Sequence, residues 1–275
     1  MEQELGVHQL SFGREPFEGF PPPNSFLVSG TSASILIDAG WDNPDDHQSR
    51  LDYLKAKRAP DVIEMLVTHR HPDHAGGALA LARELGVPIS AHRLEVDVIE
   101  SERFGGSARI DRYLEDGDLY DLGGLTLEVV FAPGHTLGCL AIHIRERNAL
   151  ITTDTVMGIS TTVIRPTEGD LAAYSRTLER FLELDARTLY PGHGAPIHEA
   201  RSRIESLIQH RLRREEQLLA ALRDGPRSVL DLRIELYIGL PEPRVRLAEM
   251  QVMTGLLKLI ADGFVQQEGD LYSLS

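Results

Sequence analysis

The chain has 275 residues, of which 42% are hydrophobic and 25% are charged, proportions typical of a soluble globular protein and not of a disordered or fibrous one. No apolar run approaches the roughly 18 residues that a membrane-spanning helix needs, so we expect no membrane partner. The net charge of −14 falls on residues 1–199, because residues 200–275 contain 11 basic and 11 acidic side chains, and this acidic portion disfavours a long polyanionic partner.

The predicted elements at the start of the chain end at polar turns. They are strands at residues 24–28, 34–38 and 62–67 and helices at residues 45–58 and 78–85. The first two strands form a hairpin that ends at Asp38. The third strand leads into the segment Thr68-His69-Arg70-His71-Pro72-Asp73-His74, and the next helix follows Gly76-Gly77. A strand before this histidine segment and a helix after it would hold its side chains rigidly.

Three more predicted turns carry potential metal ligands. The elements predicted after residue 86 are strands at residues 87–92, 125–130, 141–144, 149–153 and 188–190 and a helix at residues 170–184. Pro88 restricts the first of these strands to a sheet edge or a strand start. His135, Asp154 and His193 each follow one of the later strands, the two histidines in Pro-Gly-His turns. Four strand ends therefore present histidine or aspartate.

The last 76 residues predict a separate small domain. A long helix over residues 200–222 is followed by helices at 228–237 and 244–261 and by a hairpin at 264–274, which is the order of a winged-helix domain. The division is therefore a catalytic domain over residues 1–199 and a winged-helix-like domain over residues 200–275. Its balanced charge lacks the basic surface of a DNA-reading domain. Glutamates adjoin Arg211, Arg213 and Arg214, which predicts a solvated, ion-paired helix face.

The histidines and aspartates at the four turns suit zinc or a similar divalent metal. A lone histidine is more often structural, but the full set is too dense for that explanation. The seven candidate ligands are His69, His71, Asp73, His74, His135, Asp154 and His193. Seven ligands fit two ions: His69, His71 and His135 at the first, Asp73, His74 and His193 at the second, and Asp154 shared between them. A pair of such ions makes water nucleophilic near neutral pH, which predicts hydrolysis.

The segment His69-Arg70-His71-Pro72-Asp73-His74 resembles the H-x-H-x-D-H signature of the metallo-β-lactamase superfamily. Its later motifs match the turns at His135 and His193 and the aspartate at position 154. The resemblance implies an α/β fold, the αββα sandwich, with a dinuclear site at one edge between the sheets. It also implies two alternatives for Asp38: indirect support of the metal ligands or an ordinary turn aspartate.

Within that superfamily the chain is most similar to the β-lactamase-like protein 2 subfamily. The similarity lies in Gly158-Ile159-Ser160-Thr161-Thr162-Val163, in Tyr190-Pro191-Gly192-His193-Gly194, and in His210-Arg211 with Arg214-Glu215. That subfamily includes a single-stranded RNA endonuclease, and similar chains act on thioesters or lactones.

These observations predict a metal-dependent hydrolase with two divalent ions, for which zinc is the expected metal. A hydroxide held by the metals would attack a small-molecule ester or thioester, a lactone, or a phosphodiester of single-stranded RNA. Asp73 is the candidate catalytic residue, because either it or a metal-bound water protonates the leaving group. The alternative is a winged-helix nucleic-acid-binding regulator with a structural metal site.

The remaining expectations concern the compartment and the single cysteine. Cys139 excludes an internal disulfide, and residues 1–4 are acidic where a secretory signal would be basic, so we expect a cytoplasmic protein. A buried structural thiol is the favoured role for Cys139. We also expect structural roles for His92, His143 and His198. The sequence makes no prediction of oligomeric state.

Overall fold

A computed structural model of the protein describes residues 6–16, 18–57, 59–101 and 109–275. The chain forms two compact units: residues 1–132, 138–160 and 185–200 belong to the first, and residues 133–137, 161–184 and 201–275 to the second. The acidic residues 1–4 and the predicted helix end at Arg58 lie outside the described residues. The domain division at residues 199 and 200 remains a prediction.

The first unit contains a six-stranded mixed sheet. Its strands, in spatial order, are β1 (Gly6–Leu10), β2 (Ser25–Ser29), β3 (Ser34–Ile37), β4 (Val62–Leu66), β5 (Ile89–Ala91) and β6 (Arg112–Tyr113). β1, β2 and β3 pair antiparallel, and β3 to β6 pair parallel. β5 begins directly after Pro88, which agrees with the strand-start alternative, since β5 lies between two other strands.

The second sheet of this unit has five strands. They are β7 (Leu119–Asp121), β8 (Thr126–Phe131), β9 (Leu140–Ile144), β10 (Ala149–Thr153) and β11 (Thr188–Pro191), and each strand lies beside the next one in the chain. β7 to β10 pair antiparallel, and β11 runs parallel to β10. A short 3-10 helix, Arg145–Arg147, joins β9 to β10.

Alternating side chains of the first sheet are buried on both of its faces. Leu27 and Leu36 pack in one apolar cluster with residues of two helices, Pro44–Lys57 and Ala78–Leu85. Phe26, Val28 and Ile35 pack against the strands of the second sheet. The helices of this unit are α1 (Pro44–Lys57), α2 (Pro72–Ala75), α3 (Ala78–Leu85) and α4 (Arg93–Ile99). A helical layer and two sheets therefore stack in sequence, as the two-residue period of strand side chains requires.

The second unit is mainly helical. Its elements are α5 (Leu171–Leu184), α6 (Ala200–Ala221), the 3-10 helix Leu222–Asp224, β12 (Arg227–Ser228), α7 (Val229–Leu236), α8 (Glu242–Ala261), β13 (Val265–Glu268) and β14 (Leu271–Leu274). A capping box formed by Ser228 and Asp231 starts α7, and the three strands form a sheet in the order β12-β14-β13. Leu218, Leu256 and Tyr272 lie in the core of this unit.

The predicted order of long helix, two helices and hairpin after residue 200 is confirmed. One expectation for this region is wrong: Arg211 does not lie on a solvated face but is 6% exposed, because it bonds to groups inside the second unit. The sequence did not predict β1, β6, β7 or α4. Among the described residues, every helix is too short or too polar to cross a bilayer.

Candidate metal centre

The histidine segment is fixed at both ends by regular structure. The backbone N–H of Leu140, at the start of β9, donates to the carbonyl of Thr68 at 3.0 Å, which anchors the residue before His69. Pro72 then begins α2, where a proline is tolerated because the first N–H of a helix has no acceptor within it. The first turn of α2 carries Asp73 and His74. The segment therefore presents two histidines before the helix and two further ligands on it.

His69, His71 and Asp154 form the first group of candidate ligands. Each offers one ligand atom, and these three atoms lie within 4.8 Å of one another. The two imidazole rings meet edge to face with centroids 4.9 Å apart, and His69 Nε2 lies 4.0 Å from Asp154 Oδ2. Two nitrogens and one oxygen in this space supply three of the four ligands of a tetrahedral zinc site.

Asp73, His74 and His193 form the second group, and their ligand atoms also lie within 4.8 Å of one another. His193 Nε2 lies 3.4 Å from Asp73 Oδ2. The other carboxylate oxygen of Asp154, Oδ1, lies 3.3 Å from His74 Nε2 and 3.7 Å from His193 Nε2. Asp154 thus directs one oxygen to each group, which is the arrangement expected of a bridging carboxylate.

Asp38 is fully buried behind the second group. Its Oδ2 lies 2.8 Å from His74 Nδ1, and its two oxygens accept hydrogen bonds from the backbone N–H and the hydroxyl of Thr68, also at 2.8 Å. Because a carboxylate only accepts, Nδ1 of His74 carries the proton and Nε2 is the nitrogen available to a metal. Of the two alternatives for Asp38, these contacts favour support of the ligands over an ordinary turn residue.

Backbone strain positions Asp154. Thr153, the preceding residue, has a φ of 43°, which is rare for a β-branched side chain, and the pairing of β10 with β11 shifts register between Ile151 and Thr153. Gly192 lies so close that a Cβ atom there would be 2.1 Å from Asp154 Oδ1. Strained backbone concentrates at functional sites, where the surrounding structure enforces it. Only glycine fits at position 192.

Asn24 fixes the turn that carries His193. Its side-chain N–H groups donate to the carbonyls of Pro191 at 2.8 Å and Gly194 at 2.9 Å. His193 Nδ1 lies 2.9 Å from the carbonyl of Pro21, so this nitrogen donates and Nε2 is directed to Asp73. His74 and His193 therefore each have Nδ1 bonded to the protein and Nε2 among the candidate ligand atoms. This arrangement is usual for metal-binding histidines.

The electrostatics of the second group favour a cation. Burial alone would lower the pKa of His74, but Asp154 and Asp38 outweigh it and raise that pKa well above its usual value. Burial likewise opposes the raised pKa of His193, which follows from Asp73 and Asp154. Burial would raise the pKa of Asp73, yet His193 and His74 lower it. Buried carboxylates that stabilise positive charge, together with nitrogen and oxygen donors, fit divalent metal ions.

His135 belongs to the second unit, in the segment 133–137. It is 6% exposed, and its Nδ1 lies 2.9 Å from the carbonyl of Val163, so that Nε2 is the nitrogen available to a ligand. Gly134 packs against α5, since a Cβ there would be 2.4 Å from the Cα of Tyr174. The histidine is therefore held in one orientation within its own unit.

Glu95 is a supporting residue that the sequence did not predict. It is fully buried on α4, and its carboxylate accepts hydrogen bonds from the backbone N–H of Arg70 at 2.9 Å, from Arg70 Nε at 2.6 Å and from the N–H of Gly138 at 2.6 Å. Through these bonds Glu95 connects Arg70, in the middle of the histidine segment, to Gly138. No local pattern indicates it, because the partners are far apart in sequence and α4 was not predicted.

Two of the residues expected to be structural have that role in the structure. His92 lies at the start of α4, where its ring nitrogen accepts from the N–H of Leu94 at 3.3 Å. Cys139 is buried, and burial raises its pKa to about 12. A thiol with that pKa is neither a nucleophile nor a metal ligand near neutral pH.

Comparison with known proteins finds similarity over most of the chain. Residues 19–193 match the model of the metallo-beta-lactamase superfamily. A beta-lactamase-like protein 2 homolog from Caenorhabditis elegans is 29% identical over 88% of this chain and 80% of its own length. An atrochrysone carboxyl ACP thioesterase from Aspergillus fumigatus is 29% identical over 74% of this chain and 61% of its own length.

Two crystal structures have the same fold along almost the whole chain. A metallo-beta-lactamase family protein from Thermus thermophilus superposes with a TM-score of 0.80 at 24% identity and covers 98% of this chain and 99% of its own. A beta-lactamase domain protein from Burkholderia ambifaria gives a TM-score of 0.85 at 23% identity, over 98% of this chain and 91% of its own. The mixed α/β fold is thereby confirmed, and the His/Asp groups indicate divalent metal binding. The chain belongs to the metallo-β-lactamase superfamily and is a hydrolase of that type.

Proposed function

We propose that the chain is a hydrolase with two divalent metal ions and that zinc is the metal it uses. The first ion would be held by His69, His71 and His135, and the second by Asp73, His74 and His193, with Asp154 shared. The observation that carries this proposal is the orientation of Asp154, whose Oδ2 lies near His69 and whose Oδ1 lies near His74 and His193. A carboxylate so placed would serve two ions at once.

The position of the loop that contains His135 supports its inclusion. The two ends of this loop are closed by the N–H of Ala132, which donates to the carbonyl of Cys139 at 2.9 Å. The next residue, Leu140, bonds to the carbonyl of Thr68, directly before His69. The residues on either side of the loop are therefore bonded to each other and to the start of the histidine segment, and the bond of His135 Nδ1 to the carbonyl of Val163 leaves Nε2 as the candidate ligand atom.

When bound, two such ions lower the pKa of a water molecule and stabilise negative charge on a substrate oxygen. The chain's own residues would hold the ligand side chains in position. Asp38 and the carbonyls of Pro21 and Val163 hold the protonated nitrogens of His74, His193 and His135, so that the opposite nitrogens face the reaction site. Asp73 lies at the edge of the second group, and we propose that it transfers the proton from water to the leaving group.

We propose a small acyl thioester as the substrate class. The net negative charge of residues 1–199 suits a compact acyl substrate better than a long polyanion, because a polyanion would be repelled. A thiolate is also a good leaving group, since thiols ionise with a pKa of about 8.5, and it makes little demand on a general acid. The similarity to the fungal thioesterase agrees with this class.

Single-stranded RNA is the second candidate substrate. It is favoured by the similarity to the beta-lactamase-like protein 2 homolog, which extends over 88% of the chain. Two bound divalent ions would make the local potential positive in a chain whose net charge is −14.

For residues 200–275 we propose a winged-helix domain formed by α6 to α8 and the β13–β14 hairpin. We propose that this domain has a packing or substrate-shaping role and does not bind nucleic acid.

The test is hydrolysis of acyl-pantetheine thioesters, lactones and single-stranded RNA by the purified zinc-loaded protein. We expect thioester hydrolysis that is lost on chelation, restored by zinc and abolished by His71→Ala. The matched control is His198→Ala, which removes an exposed histidine outside the two ligand groups. Unchanged activity of His71→Ala would refute the metal mechanism, and RNA cleavage without thioester hydrolysis would replace the first substrate with the second.

A further inference from the structure

We propose that Arg211, together with Thr254, is a positioning residue for the metal ligand His135. The proposal rests on the proposed function, because it assigns His135 to the first ion. The two residues lie on α6 and α8 of the second unit, the same unit that contains His135. Neither residue is among the candidate metal ligands.

The link between them is the backbone of residues 162–164. Arg211 Nη2 donates to the carbonyl of Thr162 at 2.6 Å. The carbonyl of Ile164 accepts from the side-chain amide of Gln251 at 3.0 Å and from the hydroxyl of Thr254 at 2.9 Å. The single proton of this hydroxyl is shared with the carbonyl of Met250, 2.7 Å away. The carbonyl between these two, that of Val163, faces His135 Nδ1 at 2.9 Å.

This arrangement leaves the Val163 carbonyl little freedom. The carbonyls of Thr162 and Ile164 face α6 and α8, and the carbonyl of Val163 between them faces the histidine. Rotation of the peptide group at Val163 would disturb the hydrogen bonds of the neighbouring carbonyls, those of Thr162 and Ile164. The orientation of His135, and hence of its Nε2, is therefore set by α6 and α8.

Arg211 is buried, with 6% of its surface exposed, among groups that support the His135 loop. A guanidinium group loses strong hydration when it is buried, and a surface position was expected from its neighbours in sequence. Its planar group is held by the carbonyl of Thr162, by Gln251 Oε1 at 3.1 Å and by the ring of Tyr174, 5.0 Å away. Tyr174 also contacts the glycine that precedes His135. Arg211 thus contacts two supports of the His135 loop, the backbone at Thr162 and the ring of Tyr174.

The experiment measures zinc affinity of the full-length protein by competition with a chelator that resolves the two binding steps. His135→Ala identifies the step that belongs to the first ion. Arg211→Met removes the donors but retains the length of the side chain, and Arg213→Met is the matched control on the exposed side of the same helix. Thr254→Val removes only the hydroxyl donor, and Thr254→Ser retains it. Circular dichroism and the thermal midpoint of the metal-free proteins report folding separately.

We expect Arg211→Met and Thr254→Val to weaken the first-ion step about tenfold or more, the range for residues that orient metal ligands, and to leave the second step unchanged. Arg213→Met and Thr254→Ser should bind like the wild type. Equal weakening of both steps, or unchanged affinity, would overturn the proposal, and if Arg211→Met does not fold, Thr254→Val decides. A wild-type protein that binds no zinc would instead refute the proposed function, so the two failures are distinguishable.

Discussion

Replacement of Asp38 by asparagine tests how strongly a buried carboxylate supports the second metal ion. Asp38 has a φ of 58°, a conformation that asparagine adopts as readily as aspartate, so the backbone should not change. Asparagine keeps one oxygen for the backbone N–H of Thr68. The amide nitrogen that replaces Oδ2 can donate to the hydroxyl of Thr68, which turns to accept. It cannot accept from His74 Nδ1, which then loses its acceptor in a fully buried site.

The size of the effect follows from that one lost bond. A hydrogen bond to a charged group contributes about 1.5 to 3 kcal/mol. Loss of a residue that orients a metal ligand typically weakens metal binding about 10- to 100-fold, which corresponds to about 1.4 to 2.8 kcal/mol. The two estimates agree, so we expect Asp38→Asn to weaken zinc binding by one to two orders of magnitude, confined to the ion held by His74.

The assay is a zinc titration against a competing chelator, with the unfolding of the metal-free protein in urea measured in parallel. Asp185→Asn is the matched control, because Asp185 is exposed and has a similar φ of 49°. We expect the control to bind zinc like the wild type. Wild-type affinity of Asp38→Asn for both ions would refute the assignment of Asp38 as a support for His74.

Three further predictions concern residues around the site. Gly192→Ala would place a methyl group 2.1 Å from Asp154 Oδ1, so we expect loss of bound zinc. The far-UV circular dichroism spectrum should not change. Full zinc content would contradict the claim that a side chain at position 192 displaces Asp154. Glu95→Gln removes the charge from a buried ion pair and should reduce the free energy of unfolding by about 3 kcal/mol. Glu115→Gln, in an exposed pair, should cost less than about 1 kcal/mol, and equal losses in urea would refute the role of burial. Cys139, with its pKa raised to about 12, should resist iodoacetamide at about pH 8 until the chain unfolds, and mass spectrometry of native protein would detect any labelling.

The sequence predicted the parts of the site that are local in the chain. Ligand-type residues directly after strands at His69, Asp154 and His193 were enough to predict that distant turns meet, although β4 belongs to one sheet and β10 and β11 belong to the other. The structure brings these three into two adjacent groups. Short apolar segments likewise predicted the strands that hold these turns.

What the sequence could not show are contacts that only the tertiary structure creates. Glu95 lies on a helix whose short pattern gave no signal, and its bond to Arg70 joins separate elements. Arg211 has the charged neighbours of a surface residue, yet it is buried because α8 and α5 pack on it within the second unit. The positive φ of Thr153 also has no local signature, because β-branched residues normally avoid it.

The central claim is that two metal ions share Asp154. The most direct measurement is anomalous diffraction at the zinc absorption edge from crystals of the zinc-loaded protein. We predict two anomalous peaks, one beside His69 and His71 and one beside His74 and His193, with Asp154 between them. A single peak, or peaks that none of these side chains contacts, would contradict the account.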